Sequence, residues 1–196
     1  MKTVVFITGT NAVGKSTLAR SIIERFGGIY EERDCTTFCK DKRYGLAGRY
    51  KGMRYGGVDK ITNDKGSSCT SRLADVVREG LQTADVMFCE GSFMHSFGLN
   101  LTNALFLGDK AIVVSLYAPP AVIYKRLKNR SNGMNGKRNV ENLRRVFIKQ
   151  EGAMKSALKF QSIGVKVLQY DTSVFSTEQI LDDIINALRS FGYNID

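Results

Sequence analysis

The chain has 196 residues, enough for one α/β domain with a sizeable core and one functional insert. Hydrophobic residues make up 43% and charged residues 24%, the balance of a soluble globular protein, and no apolar run approaches the ~20 residues of a membrane helix. The net charge of +10 is segregated: residues 40–60 hold seven basic side chains against two acidic ones, residues 125–149 nine against one, and the remainder 13 against 16. Solubility does not require such segregation; a polyanionic partner, or phosphate binding by lid residues alone, accounts for it.

Lys2 to Thr8 reads as a first strand, because Val4 to Ile7 is apolar without alternation, as in a parallel strand covered on both faces. A helix is expected from about Lys15 to Phe26, stopped by Gly27-Gly28. Ile29 to Glu32 reads as a short second strand. Residues 36–70, rich in glycine, tyrosine and basic side chains, read as an insert of loops and short helices. A helix follows over Ser71–Thr83, then a third strand over Val86–Glu90, a mostly buried helix over 96–107 and a fourth strand over Ala111–Tyr117. Pro119-Pro120 opens the next helix, which reaches Arg130. Two glycines and two asparagines make 131–138 a loop, so residues 125–139 form a lid. The chain ends with a helix over 139–163, a fifth strand over Val165–Tyr170 and a last helix that Ser176 and Gln179 open as a capping box. Strand and helix alternate, so the expected fold is a single α/β domain over 1–196, with a five-stranded parallel sheet and helices on both faces.

The short apolar run after Lys2 lacks a small-residue cleavage site, so a cytoplasmic protein with no membrane partner is expected. Cys35, Cys39, Cys69 and Cys89 form no CxxC pair and His95 is the single histidine, which points to free thiols rather than a zinc site.

Gly9-Thr10-Asn11-Ala12-Val13-Gly14-Lys15-Ser16 matches GxxxxGK[ST] in full, between a buried strand and a helix start. The glycines let backbone N–H groups curl around phosphates. Lys15 neutralises the β and γ oxygens, Ser16 offers a hydroxyl to magnesium, and the helix that begins here, Thr17 included, turns its positive end to the anion. A nucleoside triphosphate and magnesium are therefore the expected ligands. On this motif the chain resembles the nucleotide-kinase branch of P-loop proteins over most of its length, apart from residues 40–70, and the resemblance implies ATP as the nucleotide.

In that branch a matching Arg-x-x-x-Arg helix walls a lid, one arginine near the adenine and the other on the transferring phosphoryl group. The resemblance gives those roles to Arg126 and Arg130; a solvated basic face is the alternative. No NKxD-like guanine-reading motif occurs near the fourth strand, which argues against a switch-type GTPase. Asp34, Glu90 and Asp59 are the candidate acids. Asp34 and Glu90 are expected beyond strand carboxyl ends, where such sheets form sites, and either is a candidate partner for magnesium; each also fits a structural role as a cap or an arginine partner. Asp34 matches the aspartate that phage-type polynucleotide kinases carry after the second strand as general base, with Arg33 before it.

The stretch from Arg43 through Arg49, Tyr50, Arg54 and Tyr55 to Asp59 alternates cations with tyrosines and glycines. Cations would neutralise phosphates, and tyrosines would stack on unpaired or flipped bases. Motif order and charge placement together resemble phage kinases that phosphorylate 5-hydroxymethyluracil within DNA, which makes DNA the expected acceptor. A kinase of free nucleosides or nucleotides, a polynucleotide 5′-hydroxyl kinase and a nucleotide-gated DNA-binding module are the competing readings.

Overall fold

The structure, a computed structural model, describes residues 1–52, 57, 58, 61, 72–91, 99–129 and 143–195. The elements are β1 (Thr3–Thr8), α1 (Lys15–Arg25), β2 (Ile29–Arg33), β3 (Thr36–Cys39), β4 (Tyr44–Ala47), α2 (Leu73–Thr83), β5 (Val86–Glu90), α3 (Leu99–Leu105), β6 (Lys110–Tyr117), α4 (Pro120–Asn129), α5 (Leu143–Ser162), β7 (Lys166–Asp171) and α6 (Thr177–Ser190). The sheet has seven strands in the order β2-β3-β4-β5-β1-β6-β7, not the five expected. Strands β4, β5, β1, β6 and β7 are parallel, and β2 and β3 extend the β4 edge through antiparallel pairs.

The two additional strands lie within the segment expected to be loops and short helices. Thr36-Thr37-Phe38-Cys39 is β-branched and aromatic and wholly buried, so it behaves as a strand despite its four residues. Tyr44–Ala47 is likewise buried and pairs in parallel with β5. Asp34 and Cys35 join β2 to β3 in a two-residue hairpin loop. Both have positive φ, 48° and 64°, as a type I′ turn requires, and aspartate tolerates that conformation.

Alternating residues of the central strands feed two cores. Val5, Ile7, Phe88 and Val114 pack with Leu18 and Ile22 of α1 and Ile184 and Leu188 of α6. Val4, Phe6, Met87 and Val113 pack with Val76 of α2, Leu105 of α3 and Phe160 of α5. Val58 and Ile61 join this second core. The capping box is formed as expected: Ser176 accepts from the Gln179 amide and Gln179 accepts from the Ser176 amide.

Among the described cysteines, Cys35, Cys39 and Cys89 are free and buried. Burial pushes the Cys39 thiol up to about 12 and raises that of Cys89 as well. At pH 8 the folded protein should therefore leave both unlabelled by an alkylating reagent while unfolded chain labels fully, as peptide mass spectrometry would show. No helix among the described residues is long and apolar enough to cross a membrane.

Candidate active site

Strand β1 runs out at Thr8 in the middle of the sheet, and the phosphate loop spans the gap to α1. Gly9 has φ 140°, and a Cβ there would lie 2.3 Å from the Leu116 carbonyl oxygen, so the loop turns only without a side chain. Gly14, at φ 94°, occupies the N-cap of α1. It supplies no side-chain cap, and the first turn holds no acid. A helix start of this kind suits an anion. Lys15 is buried at 7% exposure and its Nζ donates to the Thr10 carbonyl at 2.7 Å, which keeps the cation folded over the loop. Gly9→Ala is expected to cost about 1–3 kcal/mol of stability and to weaken nucleotide binding, read by thermal melting with and without ATP.

Glu90 ends β5, one strand from the loop, paired in register with Ile7. It is 2% exposed, and its Oε1 accepts from the Ser16 hydroxyl at 3.3 Å and from the Tyr50 hydroxyl at 3.3 Å. Two hard oxygens beside an uncapped helix start suit magnesium, which usually takes one or two protein oxygens and completes its shell with phosphate and water. Among the described residues no group of three or more His, Cys, Asp or Glu gathers as a metal site. Ser16 and Glu90 are the residues that fit it.

On the other side of the loop a cleft of about 390 Å³ opens between α1, α4 and the start of α6. Val13, Leu116 and Ile180 give it apolar walls, Thr17 and Asn129 add polar ones, and Phe175 stands with Arg126 along it. Arg126 is fixed: Nη1 donates to the Ala12 carbonyl at 3.2 Å and to Thr172 Oγ1 at 2.8 Å, and Nη2 to the Thr172 carbonyl at 2.6 Å. The loop is also tied to α5, since the Thr10 hydroxyl donates to the Val146 carbonyl at 2.6 Å.

The structure thus brings Lys15, Ser16 and Glu90 together and sets Arg126 on the cleft. Asn11, Ala12 and Val13 lie in the loop, Ala12 with φ 65°. Other expected site residues sit elsewhere. Asp34 is an exposed turn residue, four strands from β1, roughly 19 Å at ~4.8 Å per strand. The strand it was expected to follow is not the one beside β5; Gly48-Arg49-Tyr50 follows that strand. Arg43 precedes β4 at the end of the sheet remote from the phosphate loop, where it pairs with Asp41 at 2.8 Å and donates to the Asn194 carbonyl. It therefore cannot contact an acceptor at the loop. Arg33 lies over the Phe38 ring and reaches Thr83 Oγ1 at 3.4 Å. Tyr50, expected to stack on a base, is 4% exposed with its ring in the first core. Arg49 is exposed. Arg54, Tyr55, Asp59 and Arg130 lie outside the described residues.

Two features had no signal in the sequence. Gly57, at φ 88°, lies on Glu90 so closely that a Cβ would be 2.3 Å from its carbonyl oxygen. Glu32, on edge strand β2, accepts from the backbone amides of Tyr50 and Lys51. Neither pairing leaves a local pattern, because 33 and 18 residues separate the partners.

No protein-family model matches the sequence, and no curated protein matches it. Solved structures do resemble it. The YorR protein of Bacillus subtilis, solved in complex with phosphorylated GDP, superposes with a TM-score of 0.54 at 16% identity, over 98% of this chain and 99% of that one. Shikimate kinase from Acinetobacter baumannii, with shikimate, gives 0.49 at 15% over 99% and 97%. Deoxyadenosine kinase from M. mycoides, with dCTP, gives 0.49 at 13% over 95% and 99%. At these identities the likeness is one of fold alone, an α/β fold with a largely parallel sheet.

Proposed function

We propose that this chain is an ATP-dependent phosphotransferase that passes the γ-phosphoryl group to an alcohol. The observation that carries the reading is the Lys15, Ser16 and Glu90 cluster, with Ser16 Oγ 3.3 Å from the Glu90 carboxylate at the foot of an uncapped helix. The adenine would lie in the cleft against Arg126 and Phe175, and the triphosphate would follow the loop to Lys15. The acceptor would approach from the β4–β5 side, where Glu90 faces it. The hydroxyl oxygen forms a bond to the γ-phosphorus as the bond to the β–γ bridging oxygen breaks. ADP leaves, and the hydroxyl proton passes to the Glu90 carboxylate. Magnesium, when bound beside Ser16 and Glu90, would neutralise charge on the β and γ oxygens. Lys15 and the α1 amides hold that charge in place, and Arg130 in the lid is the further cation for it.

The acceptor we propose is the hydroxymethyl group of 5-hydroxymethyluracil in phage DNA, on the strength of the positive excess in residues 40–60 and 125–149. Arg49, Arg54 and Tyr55, with Asp59, would make the DNA contacts. A second reading, a kinase of free nucleosides or nucleotides, draws on the buried Tyr50 ring and on Val58 and Ile61 in the core, which suit a closed acceptor cover. Salt separates the two: turnover on DNA should fall steeply between about 50 and 200 mM salt, whereas turnover on a monomer should change little. A nucleotide-gated DNA-binding module would yield no phosphorylated acceptor under either condition.

Arg126→Ala should weaken ATP binding by about 1–2 kcal/mol, roughly tenfold in Kd, through loss of the cation beside the base. Titration with a fluorescent ATP analogue would check this; unchanged affinity would remove Arg126 from the base site.

A further inference from the structure

Two residues of the chain after β4 pack against Glu90. The Tyr50 hydroxyl donates to Oε1, and Gly57 lies where a Cβ would be 2.5 Å from the same oxygen. Gly48, the first residue after β4, has φ 111°, and a Cβ there would strike the Gly57 backbone. Close backbone packing therefore fixes Gly57 against Gly48, and one further group grips Tyr50 and Lys51 from outside. Glu32 Oε1 accepts from the amides of Tyr50 and Lys51, the latter at 2.6 Å, and the Thr37 hydroxyl lies 2.8 Å from it and 2.9 Å from the Gly48 carbonyl. Bonds from main-chain amides to a carboxylate are charge-assisted and fix the chain that donates them. Burial opposes ionisation of Glu32, but the two amides, Thr37 and the nearby Arg49 outweigh it and hold the carboxyl below the usual range. The grip is therefore charged at neutral pH.

A continuous path thus runs from the sheet edge to the phosphate loop: Glu32, the Tyr50 backbone, the Tyr50 hydroxyl, the Glu90 carboxylate, the Ser16 hydroxyl. Nothing in phosphate-loop chemistry calls for an acid on the outermost strand or for a buried tyrosine above β5. We propose that Glu32 and Tyr50 are positioning residues, which hold the Glu90 carboxylate toward Ser16 and so tune the response of the site to magnesium. The proposal rests on the functional reading above, since it takes Glu90 as the acid beside the metal-bound triphosphate.

The test uses the full chain and a fluorescent ATP analogue titrated with and without Mg²⁺. Without Mg²⁺, wild type, Glu32→Ala and Tyr50→Phe should bind alike. With Mg²⁺, the tightening seen in wild type should shrink by about tenfold in either variant, the size of effect found when an outer partner of a metal ligand is removed. The double variant should be no worse than Tyr50→Phe alone, because both act through one hydroxyl. Glu32→Gln keeps an acceptor oxygen and should restore most of the response. Tyr50→Phe, which preserves the buried ring, carries the test by itself if Glu32→Ala does not fold. Variants that respond to Mg²⁺ like wild type, or effects that simply add, overturn the proposal alone. A wild type with no Mg²⁺ response removes the functional reading, and the proposal with it.

Discussion

Replacing Lys15 with methionine is expected to lower kcat/KM for phosphoryl transfer by about 10²–10³-fold, or about 3–4 kcal/mol of transition-state stabilisation. Methionine keeps an apolar stem in the buried position and deletes the charge. The lysine donates to the Thr10 carbonyl and so lies folded over the loop. Charge on the transferred oxygens would therefore develop against an uncompensated site. ATP binding should weaken far less, because the α1 amides and the cleft remain. The split between a large loss in turnover and a modest change in Kd is the signature to measure. An equal loss in both would mean that Lys15 only binds ground-state nucleotide.

The second large effect is expected at Glu90. Glu90→Gln preserves shape and removes the carboxylate charge, and should reduce kcat by about 10²–10⁴-fold, the range for loss of a positioned acid or base. Since Glu90 Oε1 sits 3.3 Å from Ser16, the variant should also need more Mg²⁺ for half-maximal rate. Asp34→Asn is the informative partner experiment. Asparagine suits the positive φ of 48° at this turn, so the fold is kept. With the side chain exposed at the sheet edge, the rate should fall by less than about threefold. The reverse pattern, a dead Asp34→Asn and an active Glu90→Gln, would reassign the acid.

The parts of the site that were legible in the sequence are those encoded over consecutive residues. Gly9–Ser16 carries its own conformational demands, with glycines where φ is positive or a Cβ would strike a neighbour, and a serine at the helix start. The capping box at Ser176 and Gln179 is equally local. The strand pair of residues 36–39 and 44–47 was missed because each strand is short and embedded among glycines and charges, and burial on both faces removes the alternation that marks a strand. That omission displaced the acceptor-side assignments. Once β4 stands beside β5, Asp34 moves to the edge and Tyr50 comes over Glu90. Arg43 illustrates the same point. Its spacing from Arg49 and Tyr50 suggested one basic surface, but β4 runs between them and carries them to opposite ends of the sheet.

The most direct test of the account is transfer of label from γ-labelled ATP, with magnesium, to two acceptors in parallel: duplex DNA bearing 5-hydroxymethyluracil, and the free nucleoside. The account predicts acid-stable label on an acceptor hydroxyl, lost in Lys15→Met, with label on the base of digested DNA establishing the polymer as substrate and label on the nucleoside alone establishing the monomer. Tight ATP binding with no label on either acceptor, or on a DNA 5′-hydroxyl, would contradict the claim that this chain is a phosphotransferase acting on nucleoside hydroxyls.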